Sequence, residues 1–578
     1  MKPFLLLLPT TVLLAVVINR SLKQETKTYQ SIQETISIKK KNIIPCSPNL
    51  SLLNLDDNPI PLLKGWGNYR MKVTVKNDSA NIYFQQGINM YYSFHIIEAQ
   101  ASFDKAVKFD EKFAMGWWGK ALAYGPNIND LGYSASPEAL ESIKKAETWC
   151  APCSKLEQGL IAAMRARYTA DTTQSREHLN ELYADAMKDV YVKFPNSADA
   201  AALYADALIV QHPWDLYDRH YQPKAWTPEI VTVLEKLVKR FPNNPGANHY
   251  YIHAIEGSTH PEKALPVANK LGAMMPGVSH LVHMPSHIYI RSGNYNKGVE
   301  VNKSAVDGYY KYLSKYAPVS GNTFIYLLHN QHMECACAMM DGQYANSIKY
   351  AQEMSKNLDA SFLDAGGFFG VMGQYLDMTA TFTKVRFGKW DDILNEPVVA
   401  ETRVFASIMQ HFARGIALAR KQQPLAAEKE LLAIQNAKSN DQLKESPPAF
   451  NPGIAAVNVA EKILEGAIAE AKNELPKAKG FYKEATDIEE GMLYNEPRDW
   501  QLPARHYFGN ILLKMKQYNE AEKIYRKDLM VNPNNAWSLT GLLQALQKQE
   551  KKTEATTVQL QLKKATARAD VKIENSVW

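Results

Sequence analysis

Residues 506–533 read HYFGNILLKMKQYNEAEKIYRKDLMVNP, and this stretch predicts a pair of short helices. Gly509 lies in the first helical segment, Ala521 and Tyr525 lie in the second, and Pro533 ends the unit. Most of the chain follows the same pattern, with amphipathic segments of roughly ten to fifteen residues separated by Gly, Pro and Asn. Few stretches alternate with period two, so the sequence predicts an all-α fold.

The unit recurs along the chain. Ala264 and Gly298 occupy equivalent places 34 residues apart, and a further copy follows at Gly342 and Tyr344. Weaker copies of the same pattern cover 99–106, 204–208, 388–393, 415–431 and 466–485.

These motifs resemble the tetratricopeptide repeat, a helix-turn-helix unit with small residues and an aromatic residue at fixed positions. The resemblance covers most of residues 80–560. It implies an α-solenoid of stacked repeats whose first helices line a concave groove. The segments HLVHMPSHIY (280–289) and ALAYGPNIN (121–129) also look like a group of bacterial tetratricopeptide proteins, which implies the fold but no reaction.

Length and charge limit the classes of partner. A chain of 578 residues is too long for a single ordinary core and suggests several domains or a repeat array. Charged residues make up 22% and the net charge is only +6, so we expect neither nucleic acid nor an anionic membrane surface as the partner.

The N-terminus predicts export. An apolar run from Phe4 to Ile18 follows Lys2, and it is shorter than the about 20 residues of a membrane span. It is typical of a signal peptide or a signal anchor, and membrane contact is expected only if it is retained. We divide the chain into 1–20 signal, 21–78 polar tether and extension, 79–240 N-terminal repeats, 241–360 His-rich central repeats, 361–560 C-terminal repeats and 561–578 tail.

Eight of the fourteen histidines lie in the central repeats, and seven of these form clusters with spacings of three and four residues that place each cluster on one helix face. Assigned from the small and aromatic residues alone, the repeat register puts them at groove-facing positions of three successive first helices. Imidazole is the commonest metal ligand in proteins. The predicted ligands are His249, His253, His280, His283, His287, His329 and His332.

Two further residues qualify this prediction. Glu256 shares the face of His249 and His253, and we expect it to be a ligand or a catalytic proton acceptor. Pro285 falls inside a first helix, where proline is costly, so we expect a helix to begin near it and His280 and His283 to lie on an irregular turn.

The ligand set is rich in imidazole and poor in carboxylate, which disfavours a carboxylate di-iron site. We expect one or two metal ions per chain, copper in preference to zinc. The predicted function is an exported copper-dependent oxidoreductase acting on a small molecule or peptide in the groove. The alternatives are a scaffold that binds a peptide or protein partner without chemistry and a zinc hydrolase. In an exported chain, Cys150 and Cys153 are expected to form a disulfide.

Overall fold

The computed structural model describes residues 60–129, 133, 135–316, 322–358 and 360–578. The predicted signal and most of the predicted tether lie outside these ranges. Within them every regular element is a helix, and an isolated β-bridge joins Tyr217 and Pro223. No helix in the described ranges combines the length and apolar character needed to cross a bilayer.

The helices follow one another along the whole described chain. Those of the N-terminal third are α1 Asp78–Tyr92, α2 Ile96–Phe109, α3 Ala114–Ala123, α4 Pro137–Trp149, α5 Lys155–Ala166, α6 Arg176–Lys193, α7 Ala198–Gln211 and α8 Thr227–Arg240. The central ones are α9 Pro245–Glu256, α10 Leu265–Met274, α11 Ser279–His283, α12 Pro285–Arg291, α13 Tyr295–Lys315, α14 Asn322–Asp341 and α15 Tyr344–Asn357. The C-terminal ones are α16 Ala360–Leu363, α17 Gly367–Asp377, α18 Thr379–Arg386, α19 Trp390–Leu394, α20 Val404–Arg420, α21 Pro424–Ala437, α22 Gly453–Ala471, α23 Leu475–Glu490, α24 Ala504–Lys514, α25 Tyr518–Val531, α26 Ala536–Lys548 and α27 Lys552–Ala565.

Nearly every helix packs against the next, and the first helices of successive repeats also touch, as α1 and α3 or α24 and α26 do. This nearest-neighbour packing is that of a helical solenoid with a concave groove, and the predicted fold class is confirmed. Residues 60–77 add an extended segment, whose Met71 is buried and hydrogen-bonds through its backbone to Gln85 of α1.

In two places along the described chain, the aromatic side chain of a repeat fits between two glycines. Tyr525 of α25 lies between Gly509 of α24 and Gly541 of α26, and a Cβ at either glycine would lie 2.4 or 2.1 Å from the Tyr525 ring. Only glycine permits this approach, which explains why the repeat motif pairs a small residue with an aromatic one. The same arrangement recurs near the other end of the described chain in Phe103, Gly87 and Gly119.

The C-terminal repeats return to the central ones. The indole of Trp537 in α26 donates to the carbonyl of Met339 at the end of α14, and Arg291 of α12 donates to the carbonyl of Val531. The predicted tail also packs on the repeats, because Asp570 accepts from the backbone of Tyr344. These contacts close one side of the groove.

The expected break in the His-rich segment is confirmed. Helix α12 begins at Pro285, where a missing N–H costs nothing, and α11 ends at His283. His280 and His283 lie on the short helix α11, not on an irregular turn. The expected disulfide is wrong, because Cys150 and Cys153 are free thiols.

We predict opposite effects for two glycine substitutions. Gly541→Ala should lower the melting temperature, because its methyl group overlaps Tyr525 and such overpacking costs about 1–3 kcal/mol. Gly480→Ala is the control: Gly480 lies inside α23 with no neighbour within 4 Å, and alanine there should stabilise by about 0.5–1 kcal/mol. Thermal unfolding followed by circular dichroism measures both, and equal melting temperatures would contradict the packing role.

Candidate metal centre

The histidines predicted from the sequence lie on four helices of the central repeats. Helix α9 carries His249 and His253, α11 carries His280 and His283, α12 carries His287, and α14 carries His329 and His332. The structure brings six of the seven into two sets of three. Nitrogen atoms of each set lie within 4.8 Å of one another.

The first imidazole group consists of His249, His253 and His280, all buried. The ring centroid of His249 lies 5.0 Å from that of His253 and 5.0 Å from that of His280. The Nε2 atoms of His249 and His253 and both ring nitrogens of His280 have no hydrogen-bond partner among the described residues. Each such buried atom costs about 1–3 kcal/mol unless a bound species satisfies it.

The second imidazole group consists of His283, His287 and His329. The Nε2 atom of His287 lies 2.7 Å from Nε2 of His283 and 3.4 Å from Nε2 of His329. Each of the two imidazole groups therefore brings three nitrogen atoms close enough together to share one metal ion.

Hydrogen bonds at the opposite ring nitrogen fix the tautomers. The Nδ1 atom of His249 lies 2.7 Å from the carbonyl oxygen of Tyr92, which can only accept. The Nδ1 atom of His283 lies 2.6 Å from Oδ1 of Asn302, whose amide nitrogen is already committed to the carbonyl of Gly298. Both Nδ1 atoms must carry the hydrogen, so the Nε2 atoms carry the lone pairs that a metal needs.

Glu256 fixes two more rings at once. Its Oε1 lies 2.9 Å from Nδ1 of His253, and its Oε2 lies 2.5 Å from Nδ1 of His287. One carboxylate thus orients a histidine from each imidazole group and raises its basicity, as carboxylates beside metal-bound histidines do. The catalytic role that the sequence suggested for Glu256 stays a prediction.

Glu496 is a site residue that the sequence reasoning missed. It belongs to the segment between α23 and α24, it is buried, and its carboxylate also forms an ion pair with Nδ1 of His287. Together with His253, Glu256 and His287 it forms a third set of possible ligands, with mixed nitrogen and oxygen atoms. The hydroxyl of Tyr494 lies 3.4 Å from Glu256 and 3.3 Å from Glu496.

Burial keeps most of these imidazoles neutral. Desolvation lowers the pKa of His253, His329 and His332 to about 3, and it lowers the pKa of His249, His280 and His283 well below the usual value. His287 differs: burial opposes its charge, but the carboxylates of Glu496 and Glu256 outweigh burial and raise its pKa to about 10. Burial, and then the charge of Glu256, raise the pKa of Glu496 to about 7.

Two aromatic residues with strained backbone pack against the imidazoles. Phe94 has φ 57° and its ring centroid lies 4.4, 5.8 and 6.0 Å from those of His249, His253 and His280. Trp214 has φ 62° and meets His253 edge-on at 5.6 Å. Bulky residues rarely adopt a left-handed backbone, and such strain concentrates at functional sites.

The structure does not place His332 in either imidazole group. Its Nε2 accepts a hydrogen bond from the amide of Gln501, and its ring lies 5.1 Å from Tyr375. His506, left out of the ligand set on the sequence, lies elsewhere and pairs with Asp528 at 3.0 Å.

A cavity of about 280 Å³ lies over the imidazoles. His253, His280, His287 and His329 form part of its wall, and most of its other lining residues are apolar. A small molecule in this cavity would contact the imidazole groups directly.

No family model matches the sequence, and no curated protein matches it. Solved structures with a similar course of helices include the human IFIT1 dimer with m7Gppp-AAAA, at 14% identity over 86% of this chain and 92% of that chain, with a TM-score of 0.31. The yeast Tom70 structure has 9% identity over 84% and 89% of the two chains and a TM-score of 0.29. The APC/C hetero-tetramer Cut9-Hcn1 has 12% identity over 86% and 76% and a TM-score of 0.26. Similarity this low carries no inference about ligand or activity.

We predict that His329→Ala and His332→Ala differ in metal content. His329→Ala should lose about one metal ion per chain because it leaves two imidazoles in the second imidazole group. His332→Ala is the matched control, a buried histidine three residues along the same helix, and it should retain the full content. Elemental analysis of the two metal-loaded proteins measures this, and equal loss in both would contradict the assignment.

Glu256→Gln should weaken metal binding about 10-fold to 100-fold, because the amide can accept from only one of the two imidazoles. Glu262→Gln is the control, since Glu262 makes a similar contact with His260 on the surface. Metal affinity measured by competition with a chelator distinguishes them. Unchanged affinity in Glu256→Gln would show that this carboxylate does not orient the ligands.

Proposed function

We propose that this chain is a metalloprotein that binds one metal ion in each imidazole group and uses them to oxidise a small substrate. The observation that carries the proposal is the convergence of buried Nε2 atoms whose Nδ1 atoms are committed to acceptors. Neutral imidazoles whose lone pairs meet at 2.7 Å repel each other unless a cation is shared between them. In the metal-free chain the shared cation is a proton on His287. A metal ion would be shared by all three rings of the second imidazole group.

The donor set favours copper. Each imidazole group offers three nitrogens, and no cysteine belongs to either. Among divalent first-row metals, copper binds nitrogen sites most tightly, while zinc accepts the same ligands. Glu256 and Glu496 contact the rings through Nδ1 and so leave the Nε2 atoms as the available donors.

The proposed reaction is dehydrogenation by dioxygen. A substrate loses two electrons and two protons, and one dioxygen molecule takes them up to become hydrogen peroxide. The bound copper would supply the redox chemistry. The residues of this chain hold the imidazoles in place, exclude bulk water through the apolar cavity lining, and present Glu256 and Glu496 beside the rings as acidic groups. Export of the chain is part of the proposal and rests on residues 4–18 alone.

The segment that covers the imidazoles is the reason for preferring this function to a peptide-binding scaffold. An open repeat groove accepts an extended peptide, whereas here the 491–503 segment covers the imidazoles through Tyr494, Glu496 and Gln501. The remaining space of about 280 Å³ accepts a small molecule.

The decisive experiment loads the untagged chain with copper and with zinc, removes free metal, and measures metal content, oxygen uptake and hydrogen peroxide with 4-tert-butylcatechol as the probe. We expect about two copper ions per chain and copper-dependent oxygen uptake that chelation abolishes. His249→Ala and His329→Ala should each remove about one metal ion and the oxygen uptake, while the exposed His178→Ala should change neither.

Two other outcomes would contradict the proposal. Tight zinc binding without oxygen uptake by the copper-loaded chain would overturn the oxidase assignment in favour of a hydrolase. A chain that binds neither metal would overturn the metal centre and leave a scaffold whose histidines make hydrogen bonds.

A further inference from the structure

One part of the cavity wall is built from aromatic rings. The centroid of Phe450 lies 6.4 Å from that of Trp214 and 5.8 Å from that of Phe368, which in turn lies 5.5 Å from Phe369. All four residues line the cavity and are half-buried. They come from the α7–α8 connection, from α17 and from the segment before α22.

This continuous aromatic wall is made by parts of the chain far apart in sequence. Covering a half-buried aromatic ring with another apolar surface is energetically favourable. Aromatic side chains pack best against other aromatic rings, in offset or edge-to-face contact. The wall therefore matches an aromatic ligand better than an aliphatic or sugar-like one.

Trp214 connects this wall to the metal centre. Its ring lies 6.4 Å from Phe450 on one side and 5.6 Å from His253 on the other. The backbone holds it there at φ 62°, a conformation that costs roughly 1–2 kcal/mol for a bulky residue. A ligand against the wall would thus lie beside the first imidazole group.

Acidic side chains predominate among the charged groups that line the cavity. No lysine or arginine is among the described residues that line it, whereas Glu496 and Asp499 both do. Asp499 is held by the side-chain amides of Asn451 and Asn495 at 2.7 and 2.9 Å. His287 also lines the cavity, but it is already ion-paired with Glu256 and Glu496. A carboxylate or phosphate ligand would therefore meet these acids with no free cation to pair with, while an amine would be attracted both to them and to the ring faces.

We infer that the cavity binds a small aromatic molecule that is uncharged or carries one positive charge. As the substrate of the oxidation, this ligand rests on the proposed function, but its binding depends on the aromatic wall and the acidic groups of the cavity and not on a metal ion. The volume of about 280 Å³ is at the lower end of ligand pockets and limits the ligand to one compact ring system.

The test uses the full chain, freed of metal by chelation, and three probes with one ring system: 2-naphthalenemethanol, 2-naphthylmethylamine and 2-naphthoate. Naphthalene fluorescence reports binding. We expect the alcohol and the amine to bind and the carboxylate to bind at least about tenfold more weakly.

Two variants locate the bound probe. Phe450→Ala should weaken binding about threefold to tenfold by removing a ring from the wall, and Met372→Trp should weaken it by filling the cavity. Phe109→Ala is the matched control, because Phe109 stacks on Tyr83 at the surface and does not line the cavity. It should bind the probes as the unchanged chain does.

Three results would overturn the inference: no binding of any probe, binding unaffected by Phe450→Ala and Met372→Trp, or naphthoate binding as tight as that of the amine. Metal content of the same variants separates this inference from the proposed function. Probe binding by a chain that takes up no metal would overturn the metal centre and leave the ligand class standing. Metal uptake without probe binding would overturn the ligand class and leave the metal centre standing.

Discussion

The carboxylate of Glu256 accepts hydrogen bonds from Nδ1 of both His253 and His287, and the proposed metal centre depends on this contact. It joins α9 to α12, and it commits Nδ1 of both rings to hydrogen bonds, which leaves Nε2 as the atom that can bind a metal ion. Together with Glu496, it also raises the pKa of His287, which burial alone would lower, so that in the metal-free chain the Nε2 atom of His287 holds the proton that a metal ion would replace. Without this carboxylate, His253 of the first imidazole group and His287 of the second would no longer be held by the same side chain.

The solenoid supplies the rest of the site through its curvature. Close helix approach, set by contacts such as that of Tyr525 with Gly509 and Gly541, brings the C-terminal repeats back to the central ones. The 491–503 segment then reaches Glu256 and His287 and partly covers the concave surface, which leaves a cavity over the imidazoles. The repeat architecture thus explains both the histidine faces and the size of the space above them.

The sequence predicted the parts of this arrangement that local periodicity determines. Small and aromatic residues established the repeat, the spacing of His249 and His253 placed them on one helix face, and Pro285 marked the helix break. The irregular turn expected for His280 and His283 was wrong, because both lie on α11. The sequence did not predict Glu496, Phe94 or Trp214, because contacts between residues as far apart as Tyr494 and Glu256, 238 positions, depend on how the repeats stack. His332 shows the opposite case: it shares the face of His329, but Gln501 from a distant segment occupies its Nε2. No residue of the central repeats carries a local signal for that contact.

X-ray absorption at the copper edge of the copper-loaded chain tests the central claim most directly, because it identifies the atoms bound to the metal. The account predicts a shell of about three nitrogen ligands per copper with the outer-shell scattering of imidazole rings, and no sulfur. A shell of oxygen atoms alone, or of sulfur, would contradict it and would show that the converging Nε2 atoms do not form the metal centre.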